Sequence, residues 1–140
     1  MLFRSDQVYL SVPEDSNLAG RDSISMREIP AQALLYPQIG GYFMTQIEKV
    51  ITENHLPLTL VKNNYNVTQH LIRTTNFLAT ISTLSIDLRN DGPHRRLIPM
   101  TDPELNVLYY ISYLKANREK VKVFLKWGKE CNVQNEEDRR

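Results

Sequence analysis

The chain has 140 residues, 41% hydrophobic and 24% charged, which suits a folded domain with a core and excludes a disordered chain. Its 17 basic and 16 acidic residues leave a formal net charge of +1, which argues against an isolated nucleic-acid-binding domain with a basic face. The lone cysteine, Cys131, makes no internal disulfide and fits a reducing, cytoplasmic setting; no apolar run approaches the roughly 18 residues of a membrane span, and no signal peptide is expected from MLFRSDQVYLSV.

The stretch 7–13 alternates, with Val8, Leu10 and Val12 facing one way, and reads as a strand ended by Pro13. Residues 14–23 are polar and read as a loop. Ser25 and Glu28 have capping-box spacing, with Ile24 and Ile29 placed to form a hydrophobic staple, and Pro30 limits that helix to about one turn. Residues 33–36 form a short apolar strand stopped by Pro37. Gly40 and Gly41 open a helix whose Phe43, Ile47, Val50 and Ile51 make one apolar stripe, ended by Asn54, His55 and Pro57.

A strand over 58–62 follows. Asn66 with Gln69 then predicts an N-cap and capping box for a helix carrying Val67, Leu71 and Thr74 on one face. That helix stops near Asn76, which tolerates a left-handed turn, and 78–82 reads as a buried strand. Together these elements make a βαβ unit with parallel strands and a right-handed crossover. One more helical turn is expected over 84–88, a turn at Asn90–Pro93, and a strand over 97–100. Residues 107–114 suit a strand covered on both faces. Asn117 caps a last helix with Val121, Phe124 and Leu125 inward, ending near Gly128, and 131–140 reads as a frayed polar tail.

In open α/β sheets, ligands bind beyond the carboxyl ends of strands, beside helix N-termini. Gly40 and Gly41 bare N–H groups at one such place, Asn64, Tyr65 and Asn66 lie at a second, and Ser82 and Thr83 end a strand at a third. Ordinary capping and turn chemistry accounts for the same residue types. His55, His70 and His94 have no HxH, HExxH or CxxC companion, so no metal site is expected. His55 reads as a helix C-terminal cation and His70 as a half-buried packing residue. No nucleophile elbow and no phosphate- or dinucleotide-binding glycine loop occurs, so neither an enzyme nor a cofactor is expected. Arg89 and the run His94, Arg95, Arg96 form a basic knot, read as a solvated loop in preference to a nucleic-acid contact. Tyr42 and Met44, flanking the first stripe, are candidates for a subunit interface.

Eight phrases in order carry a family resemblance: VYLSVP, EDSNLAGRDS and SISMREI; ALLYPQIGGYFMTQIEKVI; LTLVKNNYNVTQHLIRTTNFLATIST; and LIPM, NVLYYISYL and REKVKVFLKW. In this order they resemble the second part of the effector-binding domain of LysR-type transcriptional regulators, over roughly residues 8–127. Two departures fall near the expected pocket: Asn76 stands at the usual left-handed glycine, and Thr83 stands where the family's strand ends in proline.

The resemblance implies a three-layer α/β fold. A mixed, mostly parallel sheet carries helices on both faces and forms one lobe of a type 2 periplasmic-binding-protein-like domain. Residues 1–130 would be a partial effector-binding domain with the second lobe, crossover strands near Val8 and Val107, and a closing helix. The resemblance further implies that Pro37, Gln38, Ile39, Gly40, Gly41, Asn64, Tyr65, Asn66, Ser82 and Thr83 line a cleft for a small effector, such as an organic anion. It also implies a homo-oligomer, no membrane contact, and DNA binding only through a helix-turn-helix domain absent from this chain. A solute-binding protein of the same fold and a small α/β enzyme are the alternatives.

Overall fold

A computed structural model of the chain describes residues 2–36, 42–83, 85, 86, 89, 91–110 and 112–137. Two compact units emerge: Ser5–Val107 is one, and Met1–Arg4 with Leu108–Arg140 is the other.

The larger unit is built on a five-stranded sheet. Its strands are β2 (Val8–Pro13), β3 (Gln32–Tyr36), β4 (Leu58–Lys62), β5 (Leu78–Ser82) and β6 (Arg95–Pro99), in the order β4-β3-β5-β2-β6. β3 is parallel to both β4 and β5, while β2 is antiparallel to β5 and β6. One strand of five is therefore reversed, and the sheet is mixed and mostly parallel, as expected. The strands of the predicted βαβ unit, β4 and β5, run parallel but are not neighbours, because β3 lies between them.

Period-2 alternation sends successive side chains to opposite faces. Leu34 joins the larger core cluster with Leu10, Leu78 and Ile98, on the face packed by Met44, Ile47 and Val50 of α1 (Tyr42–Glu53). Leu35 joins Ala79 and Ile72 on the other face, beneath α2 (Tyr65–Thr74). Helices thus cover both faces. Of the expected α1 stripe, Ile47 and Val50 are buried; Met44, 3% exposed, joins them, while Phe43 and Ile51 pack at the margin of the cluster. Met44 is therefore core and not an interface residue; Tyr42 is 63% exposed.

Ser25 and Glu28 form the predicted capping box around one 3-10 turn, Met26–Glu28, and Ile24 and Ile29 are both buried beside it. Asp102 fixes this turn from below. Its carboxylate accepts from the Ser25 hydroxyl, the Met26 N–H and the Arg27 guanidinium, each at 2.8 Å. Arg27 also reaches Asn54 at the end of α1, at 3.1 Å. α1 closes with His55 in the left-handed region, φ 49°, and bonds from His55 N–H to Thr52 O and from Leu56 N–H to Ile51 O. This is a Schellman ending, in which His55 takes the place usually held by glycine. Among the described residues it is the one non-glycine with positive φ, so Asn76 does not adopt the left-handed turn expected of it.

The basic knot is neither solvated nor a surface patch in full. The Arg89 and Asp91 side chains are 6% and 7% exposed and pair through two bonds, Nε to Oδ1 at 2.6 Å and Nη2 to Oδ2 at 2.7 Å. Arg89 Nη1 donates to Thr80 O, and the Ser11 hydroxyl donates to Asp91 Oδ2. Arg95, half-buried, donates to Ser11 O and to the carbonyls of Ile72, Thr75 and Phe77. It satisfies orphan carbonyls at and just beyond the C-terminus of α2, where the helix dipole also favours a cation. Burial lowers its affinity for the proton without removing the charge. His94 stays exposed, paired with Glu14 at 2.8 Å, and Arg96 is exposed.

The smaller unit contains elements that sequence reading drew differently. β1 (Leu2–Asp6), where the sequence assigned no element, pairs with β7 (Val107–Tyr110) in a two-stranded sheet. β7 is shorter than predicted, and it is not covered on both faces: Leu108, Tyr109 and Tyr110 are exposed. A 3-10 turn over Lys115–Asn117 leads into α3 (Arg118–Glu137). α3 runs on past Gly128, because an interior glycine costs only about 1 kcal/mol relative to alanine and does not stop a helix by itself. Phe124, expected to face inward, is 51% exposed.

Replacing Asp91 with alanine strands a buried guanidinium and should cost about 3 to 5 kcal/mol of stability in urea unfolding. The pair Arg89→Met with Asp91→Leu should cost clearly less. Equal losses from the two would contradict this reading of the pair.

Candidate functional site

The parallel strands β3, β4 and β5 end at Tyr36, Lys62 and Ser82, so their carboxyl ends share one edge of the sheet. The chain leaves β4 at that edge and turns into α2. Asn64, at φ −67° and ψ 165°, is the N-cap of α2, and its Oδ1 accepts from the Val67 N–H at 2.9 Å. The predicted cap, Asn66, lies two residues too late and is an exposed first-turn residue. Counting the cap from Asn64 leaves Val67 at the third helical position, so no capping box forms. The buried face moves with it, to Thr68 and Ile72, leaving Val67 40% exposed. That face also turns His70, expected to be half-buried, out to solvent.

Ser82 and Thr83 lie at the same edge as Asn64, because β5 ends there. Ser82 is 7% exposed, with its hydroxyl 3.2 Å from that of Ser85. The Thr83 hydroxyl is already engaged: it accepts from the Gln7 N–H at 2.9 Å and donates to Gln7 O at 3.0 Å. It clamps the entrance of β2 to the exit of β5. Tyr65, the first residue of α2, is 40% exposed. Pro37, Gln38, Ile39, Gly40 and Gly41 lie outside the described residues.

Two groups at this edge were missed. Lys62 Nζ bonds Glu48 at 2.6 Å and sits 5.0 Å from the centre of the Tyr36 ring; the Glu48 bond raises its pKa. Its signal in the sequence was only a terminal lysine on an apolar strand. Thr68 Oγ1, one turn into α2, is buried with no hydrogen-bond partner among the described residues. Side chains on a helix lean toward its N-terminus, so this hydroxyl lies beneath the first turn. Among the described residues, no cluster of three or more metal-ligating side chains occurs, and no helix is long and apolar enough to cross a membrane.

Two concavities among the described residues of the larger unit lie elsewhere. One, of about 460 Å³, opens between the end of β2, the end of α2 and residues 91–95. A neighbouring one, of about 360 Å³, is lined by Ile81, Ile86 and Leu97 with Arg89, Asp91, Gly92 and Arg95. In both, the charged groups Arg89, Asp91 and Arg95 are committed to one another, to Ser11 or to backbone carbonyls. They hold the sheet to α2 and leave little donor capacity for a ligand.

Solved structures match this arrangement over nearly the whole chain. The reduced OxyR regulatory domain from Pseudomonas aeruginosa superposes with a TM-score of 0.62 at 15% identity, covering 94% of this chain and 65% of that one. The effector-binding domain of QuiR in complex with shikimate gives 0.61 at 13% identity, covering 93% of this chain and 65% of that one. The CcmR regulatory domain from Synechocystis PCC6803 in complex with 2-PG gives 0.62 at 10% identity, covering 89% and 64%. The chain has the fold of LysR-type effector-binding domains. It spans about two-thirds of the length of the regulatory domains it matches. No family model matches the sequence, and no curated protein does.

Asn64→Ala should lower stability by about 1 kcal/mol through loss of the α2 cap, while Asn66→Ala should change it by less than about 0.5 kcal/mol, both read by urea unfolding. The reverse order would restore Asn66 as the cap.

Proposed function

We propose that this chain is the second-lobe part of a ligand-sensing domain of a LysR-type transcriptional regulator. It performs no chemistry. It supplies one wall of a cleft for a small organic anion, and the complete protein converts occupancy of that cleft into altered DNA binding through a separate helix-turn-helix domain.

The observation that carries this reading is the convergence of three parallel strand ends and the N-terminus of α2 on one edge. A helix N-terminus offers unpaired N–H groups and a positive dipole end, both suited to a carboxylate. Lys62 lies at the same edge, its ammonium already paired with Glu48. The fold match to effector-binding domains, among them one solved with shikimate and one with 2-PG, supports the reading. Asn64, Tyr65, Asn66, Ser82 and Thr83 are the proposed contacts, joined by 37–41. Because Thr83 already serves Gln7, its backbone is the better candidate than its hydroxyl.

A single wall binds weakly, so affinities in the millimolar range are expected for this chain, worth about 4 kcal/mol. Asn64→Asp keeps an N-cap but places a negative charge where the anion would sit. Calorimetric titration with a panel of small carboxylates, shikimate included, should detect weak binding that this variant loses and Asn64→Ser keeps. Equal binding by all three proteins would sink the assignment.

A further inference from the structure

The chain passes from the smaller unit to the larger between Arg4 and Ser5, and back between Val107 and Leu108. These points fall within β1 and β7 and are the two covalent links between the units. The first link is tied to the carboxyl edge. A single residue, Gln7, separates β1 from β2. The register of β2 on β5 sets Val8 opposite Ser82. One residue further out, the Gln7 N–H donates to the Thr83 hydroxyl at 2.9 Å. The Gln7 carbonyl accepts from the Thr83 N–H at 2.9 Å and from the Thr83 hydroxyl at 3.0 Å. A side-chain hydroxyl thus takes the part of a strand carbonyl and carries the bonding one residue past the ladder.

Valine in place of Thr83 would keep only the bond from its N–H, and proline would keep none of the three. Proline stands at this position in the family that the sequence resembles, so a strand end of that kind could not make this clamp. The second link is anchored differently. Leu105 and Asn106, just before Val107, bond back to Asp102 O and Pro103 O, and the Asp102 carboxylate is held by Ser25, Met26 and Arg27. None of these is a proposed contact. Thr83 and its neighbour Ser82 are. Gln7 is exposed and Thr83 half-buried, and hydrogen bonds so placed open locally, without unfolding of the core.

We propose that Thr83 is a positioning residue through which the carboxyl edge governs the first link. An anion held by the end of β5 and the N-terminus of α2 fixes Thr83, and Thr83 fixes Gln7 and the end of β1. The anion's part in this rests on the cleft reading above; the clamp itself does not.

Residue-resolved amide exchange of the full 140-residue chain reads the clamp without any ligand. Thr83→Ser, which keeps the hydroxyl, should leave the Gln7 amide as it is in the unaltered protein. Thr83→Val should speed its exchange by about tenfold, and Thr83→Pro by at least as much, with Ser5 and Asp6 following and β3 and β4 unchanged. A merely structural role for Thr83 would speed all of these amides together. Adding a panel of small carboxylates, shikimate included, should slow Gln7 exchange in the unaltered protein and in Thr83→Ser, and not in Thr83→Val or Thr83→Pro. Gln7 exchange indifferent to Thr83→Pro would overturn the proposal. So would a carboxylate that slows the α2 first turn and leaves Gln7 unaltered, or slows Gln7 equally in all four proteins. Graded speeding with no carboxylate bound would instead bring down the cleft reading and uphold Thr83 as the tie between β5 and the first link.

Discussion

Parallel pairing of β3 with both β4 and β5 is the constraint on which the rest of the larger unit depends. It brings the ends of three strands to one edge, and it obliges the chain leaving β4 to return beneath the sheet before β5 can begin. α2 is that return path. Its N-terminus must then lie at the carboxyl edge, and its C-terminus at the other. Each end is completed by a side chain of the matching kind: Asn64 accepts an N–H at the first, and Arg95 donates to carbonyls at the second.

The reversed strand, β2, makes the sheet a single body. It stands between β5 and β6 and contributes Leu10 and Val12 to one face and Ser11 to the other. Ser11 is fully buried and polar, and it is tolerable there because Asp91 and Arg95 take up its hydroxyl and carbonyl. Thr83 joins the other end of β2 to β5 through Gln7. A rigid strand edge and a well-anchored helix are what a recognition surface requires, since a site holds its geometry only as firmly as its supports do.

Much of this was legible in the sequence. Alternation gave β2, and apolar runs bounded by proline, glycine and asparagine gave β4 and β5 with the bounds observed. The Ser25–Glu28 box was readable because both partners are local. What was not legible depended on distant partners. Arg89, Arg95 and Asp91 look like loop charges until Ser11 and the α2 carbonyls are placed against them. The choice between Asn64 and Asn66 as cap turns on a two-residue shift that propensity does not resolve. β1 carries no local signal because its register is set by β7, a hundred residues away in the chain. For α3 the expected inward stripe holds only in part: Val121 and Leu125 are half-buried, while Phe124 is exposed.

The central claim is that the carboxyl edge of the β4–β3–β5 layer is a binding wall for small anions. Hydrogen–deuterium exchange of this chain, with and without a saturating mixture of small carboxylates, tests it most directly. The account predicts slowed exchange confined to the amides of the α2 first turn, the end of β5 and residues 38–41. Slowing around residues 13–15 and 91–95 instead, or no slowing at any site, would contradict it.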